Sequence, residues 1–107
     1  NNRWMAFRTR SQRTIHVDKS SRDALLTNGS SILPVGILSA EGQFEEGDTI
    51  SIVHDGEEIA RGIVNFNLSD LLNIKGHKSQ DIPTILGVRD TYHVVVHRDN
   101  LVVLRQE

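Results

Sequence analysis

The stretch Gly36-Ile-Leu-Ser-Ala-Glu-Gly-Gln-Phe-Glu-Glu-Gly-Asp48, at the centre of Leu33 to Phe66, decides the fold. An apolar strand runs into a glycine-containing acidic turn, and a second strand leaves from Gly47-Asp48. A third returns through Asp55-Gly56, a dipeptide that tolerates positive φ and so signals a two-residue hairpin. That loop pairs Thr49–His54 with Glu58–Phe66 and sets Ile52 opposite Ile59 as an apolar cross-strand pair. Pro34 cannot donate to a ladder, so it marks a start or an edge for the strand Ile32–Leu38, and Gly36 marks a bulge or a close backbone approach. Gly62, inside the return strand, predicts a bend of the kind that closes a small barrel. Nothing in the stretch is catalytic in type, so it predicts a scaffold before any job.

Working outward, Thr14–Val17 is a short strand with β-branched residues at alternate positions. Asp18 then caps a helix that runs to about Asn28, with Ala24, Leu25 and Leu26 as a narrow apolar stripe and Asn28-Gly29 as a left-handed stop. Beyond Asn67 the period changes. Ser69 is expected to cap a helix from Asp70 to about Ile74, ended by Gly76. Ser79 is expected to cap another to about Leu86, ended by Gly87, with Pro83 in its first turns. Thr91–His97 and Leu101–Leu104 read as two strands joined by the polar turn Arg98-Asp-Asn100, whose Asp and Asn bond to nearby backbone. Residues 1–13 show no period and read as a tail or linker, leaving 14–107 as the domain. The fold class is mainly β with short helices, a small barrel of five to seven strands.

A chain of 107 residues forms one domain of common size. It contains no cysteine, which excludes disulfides and thiolate metal sites and is compatible with a reducing compartment. No apolar run approaches the roughly 20 residues that span a bilayer, and no signal-peptide pattern opens the chain. The protein therefore reads as soluble and cytoplasmic, without a membrane partner. It lacks an initiator methionine and reads as a piece of a longer protein. The net charge of -2 hides an uneven distribution. Residues 1–22 carry six bases against Asp18 alone, whereas residues 41–58 carry seven acids and no base. The basic block is either a nucleic-acid patch or a solvated tail, and the missing basic surplus favours the tail, because phosphate contacts supply most nucleic-acid affinity.

The search for chemistry returns little. His97-Arg98-Asp99 spells the protein-kinase catalytic triplet, but the magnesium-binding Asn that should follow is replaced by Leu104. Lys75-Gly-His-Lys-Ser79 approaches a phosphate loop without its spacing or its preceding strand. His93 and His97 would lie roughly 13 Å apart on a strand, too far to share a metal. Glu45-Glu46 and Glu57-Glu58 are adjacent pairs in turns and read as solubilising charge. Catalytic, cofactor-binding and metal-binding residues are therefore all expected to be absent.

Five segments occur in order that together carry a resemblance: Ser31-Ile-Leu-Pro-Val-Gly-Ile37, Glu41-Gly-x-Phe-x-x-Gly-Asp48, Glu58-Ile-Ala-Arg-Gly-Ile-Val-Asn65, Ile74-Lys-Gly-His-Lys-Ser79 and Val96-His-Arg-Asp-Asn-Leu-Val102. The chain resembles, from about Arg3 to Leu104, the C-terminal PUA domain of the bacterial glutamate 5-kinases. Arg3-Trp4-Met5 is similar to the joint that follows their kinase domain. Phe66 stands where the family usually has Tyr, and the order of bases around Gly76 varies. The resemblance implies a PUA-like pseudobarrel of about six strands. It also implies a homo-oligomeric parent enzyme that phosphorylates glutamate with ATP and magnesium in proline biosynthesis, inhibited by proline, with all catalytic residues in its amino-acid-kinase domain. That kinase domain is then the expected partner, and RNA is the alternative. In RNA-modifying enzymes the first helix, the following loop and the last strand of a PUA domain face RNA. Those positions correspond here to Arg22, Asn28, Gly29, Ser30 and the strand Arg98–Leu104. With Lys75, His77 and Lys78 on the connector, they form the candidate RNA or partner contact, away from the acidic turns.

Overall fold

The computed structural model describes residues 12–104. Five strands form one mixed sheet in the order β2-β1-β3-β4-β5. Strand β1 (Thr14–Val17) lies between antiparallel β2 (Ile37–Glu41) and parallel β3 (Thr49–His54). Strand β4 (Glu57–Ile63) pairs antiparallel with β3, and β5 (Leu101–Val103) with β4. Three short helices, α1 (Lys19–Asn28), α2 (Leu68–Ile74) and α3 (Ile82–Leu86), complete the domain. Ile15, Ile50, Ile52, Leu25, Leu71 and Ile82 meet in a single core. Strand β3 is covered on both faces, since Ser51 and Val53 are buried as fully as Ile50 and Ile52.

Local chemistry explains most boundaries. Asp18 is extended, and its Oδ1 accepts the Ser21 N–H at 2.8 Å, so α1 begins where a capping carboxylate is expected. Helix α1 stops at Gly29, whose φ of 63° is left-handed. Of its predicted apolar stripe only Leu25 is buried, while Ala24 and Leu26 are half-buried. Asp55 and Gly56 both take positive φ, 51° and 80°, which gives the tight hairpin turn.

Several expectations are corrected. Ile52 faces Ala60, not Ile59, because β4 carries a bulge after the Val53–Glu58 pair. The extra residue lets both Ile59 and Ala60 be buried, which strict alternation would forbid. The return strand ends at Ile63. Beyond it the Val64 N–H donates to the Asp48 carbonyl at 2.9 Å, and the Asn65 N–H to the Val95 carbonyl at 2.9 Å. Ile32–Gly36 is not strand: Pro34–Gly36 forms a 3-10 turn, and β2 begins at Ile37. Gly36 does make the close approach, since a Cβ there would collide with the Ser21 hydroxyl.

Helix α2 is capped by Asn67, whose Oδ1 accepts the Asp70 N–H at 2.8 Å, so the helix starts ahead of Ser69. Ser79 opens a 3-10 turn (Ser79–Asp81) that feeds α3 and makes no capping bond. Thr91–His97 is not a strand. Its Val95 and Val96 are consecutive and both buried, and they bond to Ile32 on one side and Asn65 on the other. Instead of pairing with Leu101–Leu104 as expected, it makes one isolated bridge, Val96 to Ile32, while β5 pairs with β4. The 3-10 turn Arg98–Asn100 leads into β5, and the side chain capping it is His97, whose Nδ1 accepts the Asp99 N–H at 3.0 Å.

Candidate functional site

The segment Ser30–Gly36 is the hub around which the candidate residues are placed. At its start, Ser30 follows the Gly29 cap of α1, and the Ser31 hydroxyl accepts the Arg98 N–H at 2.8 Å. At its end, the Gly76 N–H donates to the Pro34 carbonyl at 2.8 Å, and the Asp18 N–H to the Gly36 carbonyl at 2.9 Å. The first helix, the loop after it, the Lys75–Lys78 connector and the Arg98 turn therefore all touch one short segment. Between that segment and α1 lies a cleft of about 370 Å³, lined by Asp18, Ser20, Ser21, Ala24, Ser30, Ser31, Leu33, Val35 and Gly36.

The electrostatics of this surface are mild. Arg22 is drawn aside, with its Nη1 donating to Asp23 Oδ1 at 2.9 Å. Hydrogen bonds from Lys19 and then Arg22 hold the exposed Asp23 carboxyl below the usual carboxylate range. Asp18, the one charged residue lining the cleft, is engaged as the cap of α1. None of Arg22, Lys75, His77, Lys78 and Arg98 lines the cleft. His77, Lys78 and Arg98 are exposed, and Lys75 is half-buried at the end of α2. Asn28 is exposed at the last turn of α1. Ser31 and the Arg98 turn are thus brought together, whereas Arg22 is spent on an intrahelical pair. Arg3, Trp4 and Met5, which the resemblance reads as a joint, lie outside the described residues.

A second concavity went unread in the sequence. Glu45, Glu46, Asp70 and Asp90 rim a cleft of about 320 Å³, with Phe66, Leu86, Val88 and Tyr92 in its wall. The Tyr92 hydroxyl donates to Glu46 Oε2 at 2.7 Å, and its ring meets Phe66 edge-on with centroids 6.1 Å apart. The partners are 46 residues apart in sequence, so no local pattern announces them. The accepting Glu46 carboxylate holds the Tyr92 phenol above its usual range. The neutral phenol is the donor, so the bond is present below the ordinary phenol value of about 10 and is lost as pH rises through the raised midpoint. Tyr92 is the only tyrosine, so its ultraviolet titration is expected to show a raised midpoint that Glu46→Gln returns toward 10. Identical titration curves for the two proteins would refute the contact.

Comparison with known proteins follows the same lines. The family model described as "PUA domain" matches residues 13–86. The glutamate 5-kinase of Dictyoglomus thermophilum is 46% identical over 104 residues, covering 96% of this chain and 28% of the relative. That of Dictyoglomus turgidum is 48% identical over 101 residues, covering 94% and 27%. The chain thus spans little more than a quarter of the length of the curated relatives it matches, and the similarity falls on their C-terminal part. Among solved structures, a conserved PUA domain protein from Thermoplasma acidophilum aligns with TM-score 0.58 and 23% identity, covering 85% of this chain and 52% of that one. A chain of an archaeal box H/ACA sRNP complex aligns with TM-score 0.53 and 20% identity, covering 82% and 26%.

Proposed function

This chain belongs to the PUA domain family, and from that premise we propose that it is a non-catalytic accessory domain of a glutamate 5-kinase. The observation that carries the reading is the extent of the match: 94–96% of the chain aligns with the C-terminal part of these kinases at up to 48% identity. Under this reading the parent is a cytoplasmic homo-oligomer that transfers the γ-phosphate of ATP to the glutamate side chain. The amino-acid-kinase domain, which this chain does not contain, binds ATP and magnesium. Among the described residues no three His, Cys, Asp or Glu side chains are grouped to hold a metal ion. No helix among them is long and apolar enough to cross a membrane.

Removing the domain from the full-length enzyme is expected to change glutamate phosphorylation, its magnesium dependence or its inhibition by proline. If all three stay as they were, the accessory role fails. An RNA-binding role is the second reading. It is favoured by the fold shared with a chain of a ribonucleoprotein complex and by the contact of Ser31 with the Arg98 turn. The diversion of Arg22 to Asp23 and the seven acids of residues 41–58 weigh against it. Structured RNA titrated at two salt concentrations is expected to bind more weakly than about micromolar, because few cations meet phosphate. Tighter, steeply salt-dependent binding would favour the RNA module.

A further inference from the structure

The two edges of the sheet differ in how they are guarded. On β2, the register against β1 shifts so that Leu38 has no partner between the His16–Ser39 and Val17–Ile37 pairs. A bulge of this kind turns an edge away from further association. On β5, Leu101, Val102 and Val103 pair with Gly62, Arg61 and Ala60 in unbroken register. This edge is apolar and open: Val102 is 65% exposed, Val103 42% and Ile63 40%. Arg61 faces Val102 and Thr49 faces Ile63, so by strand alternation these four side chains share one face. With Gly62, Asp99, Asn100 and Leu101 they line a shallow groove of about 330 Å³. Arg61 is held there by Glu58, at 2.8 and 3.1 Å, which leaves an apolar surface rather than one suited to phosphate.

The way the chain enters the sheet indicates what covers this groove. Thr14, Ser51, Arg61 and Val102 form one row across β1, β3, β4 and β5. Three interstrand steps place Val102 about 14 Å from Thr14. Strands β1 and β3 are parallel, so the chain ahead of Thr14 leaves the sheet at the end occupied by Thr49, Ile63 and Leu101. In the glutamate 5-kinases most of the polypeptide precedes the matched part, and it joins the sheet at the same end as the groove. A partner tethered that closely has an effective concentration of about millimolar, so even a small apolar patch can hold it.

We propose that the β4–β5 groove, centred on Ile63 and Val102, is the surface on which this domain docks against the kinase domain of its own polypeptide. The proposal rests on the accessory-domain reading and adds the face that reading leaves open. It moves the partner contact away from the Arg22 and Lys75 side, to which the family resemblance and the acidic turns had pointed.

Hydrogen–deuterium exchange, read by mass spectrometry, compares the full-length protein with the isolated 107-residue chain. Amides of Arg61–Ile63 and Leu101–Val103 are expected to exchange at least about tenfold more slowly in the full-length protein. Val102→Asp should abolish that difference without lowering the Tm of the isolated chain, and Leu38→Asp on the opposite edge should not. The comparison of the two unsubstituted proteins decides the matter even if a variant folds poorly. Equal exchange in both forms, protection around Leu33 and Val35 instead, or slowing that grows with the concentration of the isolated chain would each overturn the proposal. The last of these results would mark a second copy as the occupant. Glutamate-dependent ATP turnover, followed in the same full-length samples, separates the two ideas. Its absence removes the kinase reading, whereas turnover with unprotected β5 amides removes only the docking surface.

Discussion

Alanine in place of Ile52 is expected to remove about 2–5 kcal/mol of folding stability, the usual cost of emptying a buried branched site. Ile52 is fully buried in the middle of β3, beside Ile15 on parallel β1 and Ala60 on antiparallel β4. Its neighbours Ser51 and Val53 close the other face of the same strand. With both faces covered, the surroundings have little freedom to collapse into the space that the lost methyl groups leave. Domains of this size are held by only about 5–15 kcal/mol in total, so roughly a third of the stability is at stake at the middle of both ranges. Urea unfolding should show a lower midpoint with an unchanged slope. Leu38→Ala, at a residue 62% exposed on the bulged edge, should stay within about 0.5 kcal/mol of the parent. Equal shifts for the two variants would mean that β3 is not the centre of the core.

What was legible in the sequence is what short-range chemistry dictates. Asp18 as a cap, Gly29 as a stop and Asp55-Gly56 as a turn each depend on a few neighbouring residues, and each stands where it was expected. The bulge that sets Ile52 against Ala60 does not depend on neighbours. It arises because Ile59 and Ala60 must both be buried, which only the packed sheet decides. The run Tyr92-His-Val-Val-Val-His97 has the composition of a strand. Its backbone partners, Ile32 and Asn65, lie on two separate segments, so it is bent between them and never forms a ladder. Asn67 outcompetes Ser69 as a cap because its amide oxygen reaches the Asp70 N–H from an extended backbone.

The candidate site divides in the same way. The pairing of Arg22 with Asp23 is a nearest-neighbour contact and could have been anticipated. The Arg98–Ser31 bond spans 67 residues, and the family resemblance was what put those two segments on one surface. Neither charge nor periodicity marked the β4–β5 groove. Its members are ordinary strand residues whose exposure becomes visible only once β5 is known to be an edge.

That edge hangs on one glycine. Gly62 sits in β4 opposite Leu101, and a Cβ built there would lie 2.5 Å from Val96 Cγ1 and 2.9 Å from the Asn100 carbonyl oxygen. The first contact is with a stiff β-branched side chain and the second is with backbone, so neither yields by a simple rotation. Gly62→Ala is therefore expected to cost about 1–3 kcal/mol by overpacking, relieved by pushing the Arg98–Asn100 turn and β5 off the sheet. By contrast, Gly29→Ala meets no atom within 4 Å and carries only the left-handed strain of about 1–2 kcal/mol. The two losses overlap in size but differ in place. In Gly62→Ala the amides of Leu101–Val103, and that of Leu104 bonded to the Ile59 carbonyl at 2.9 Å, should exchange early while Thr49–His54 keep their protection. Exchange that rises evenly across all strands, or nowhere, would show that β5 is not released. Since β5 forms one wall of the groove, the same substitution in the full-length protein should loosen the docking proposed above.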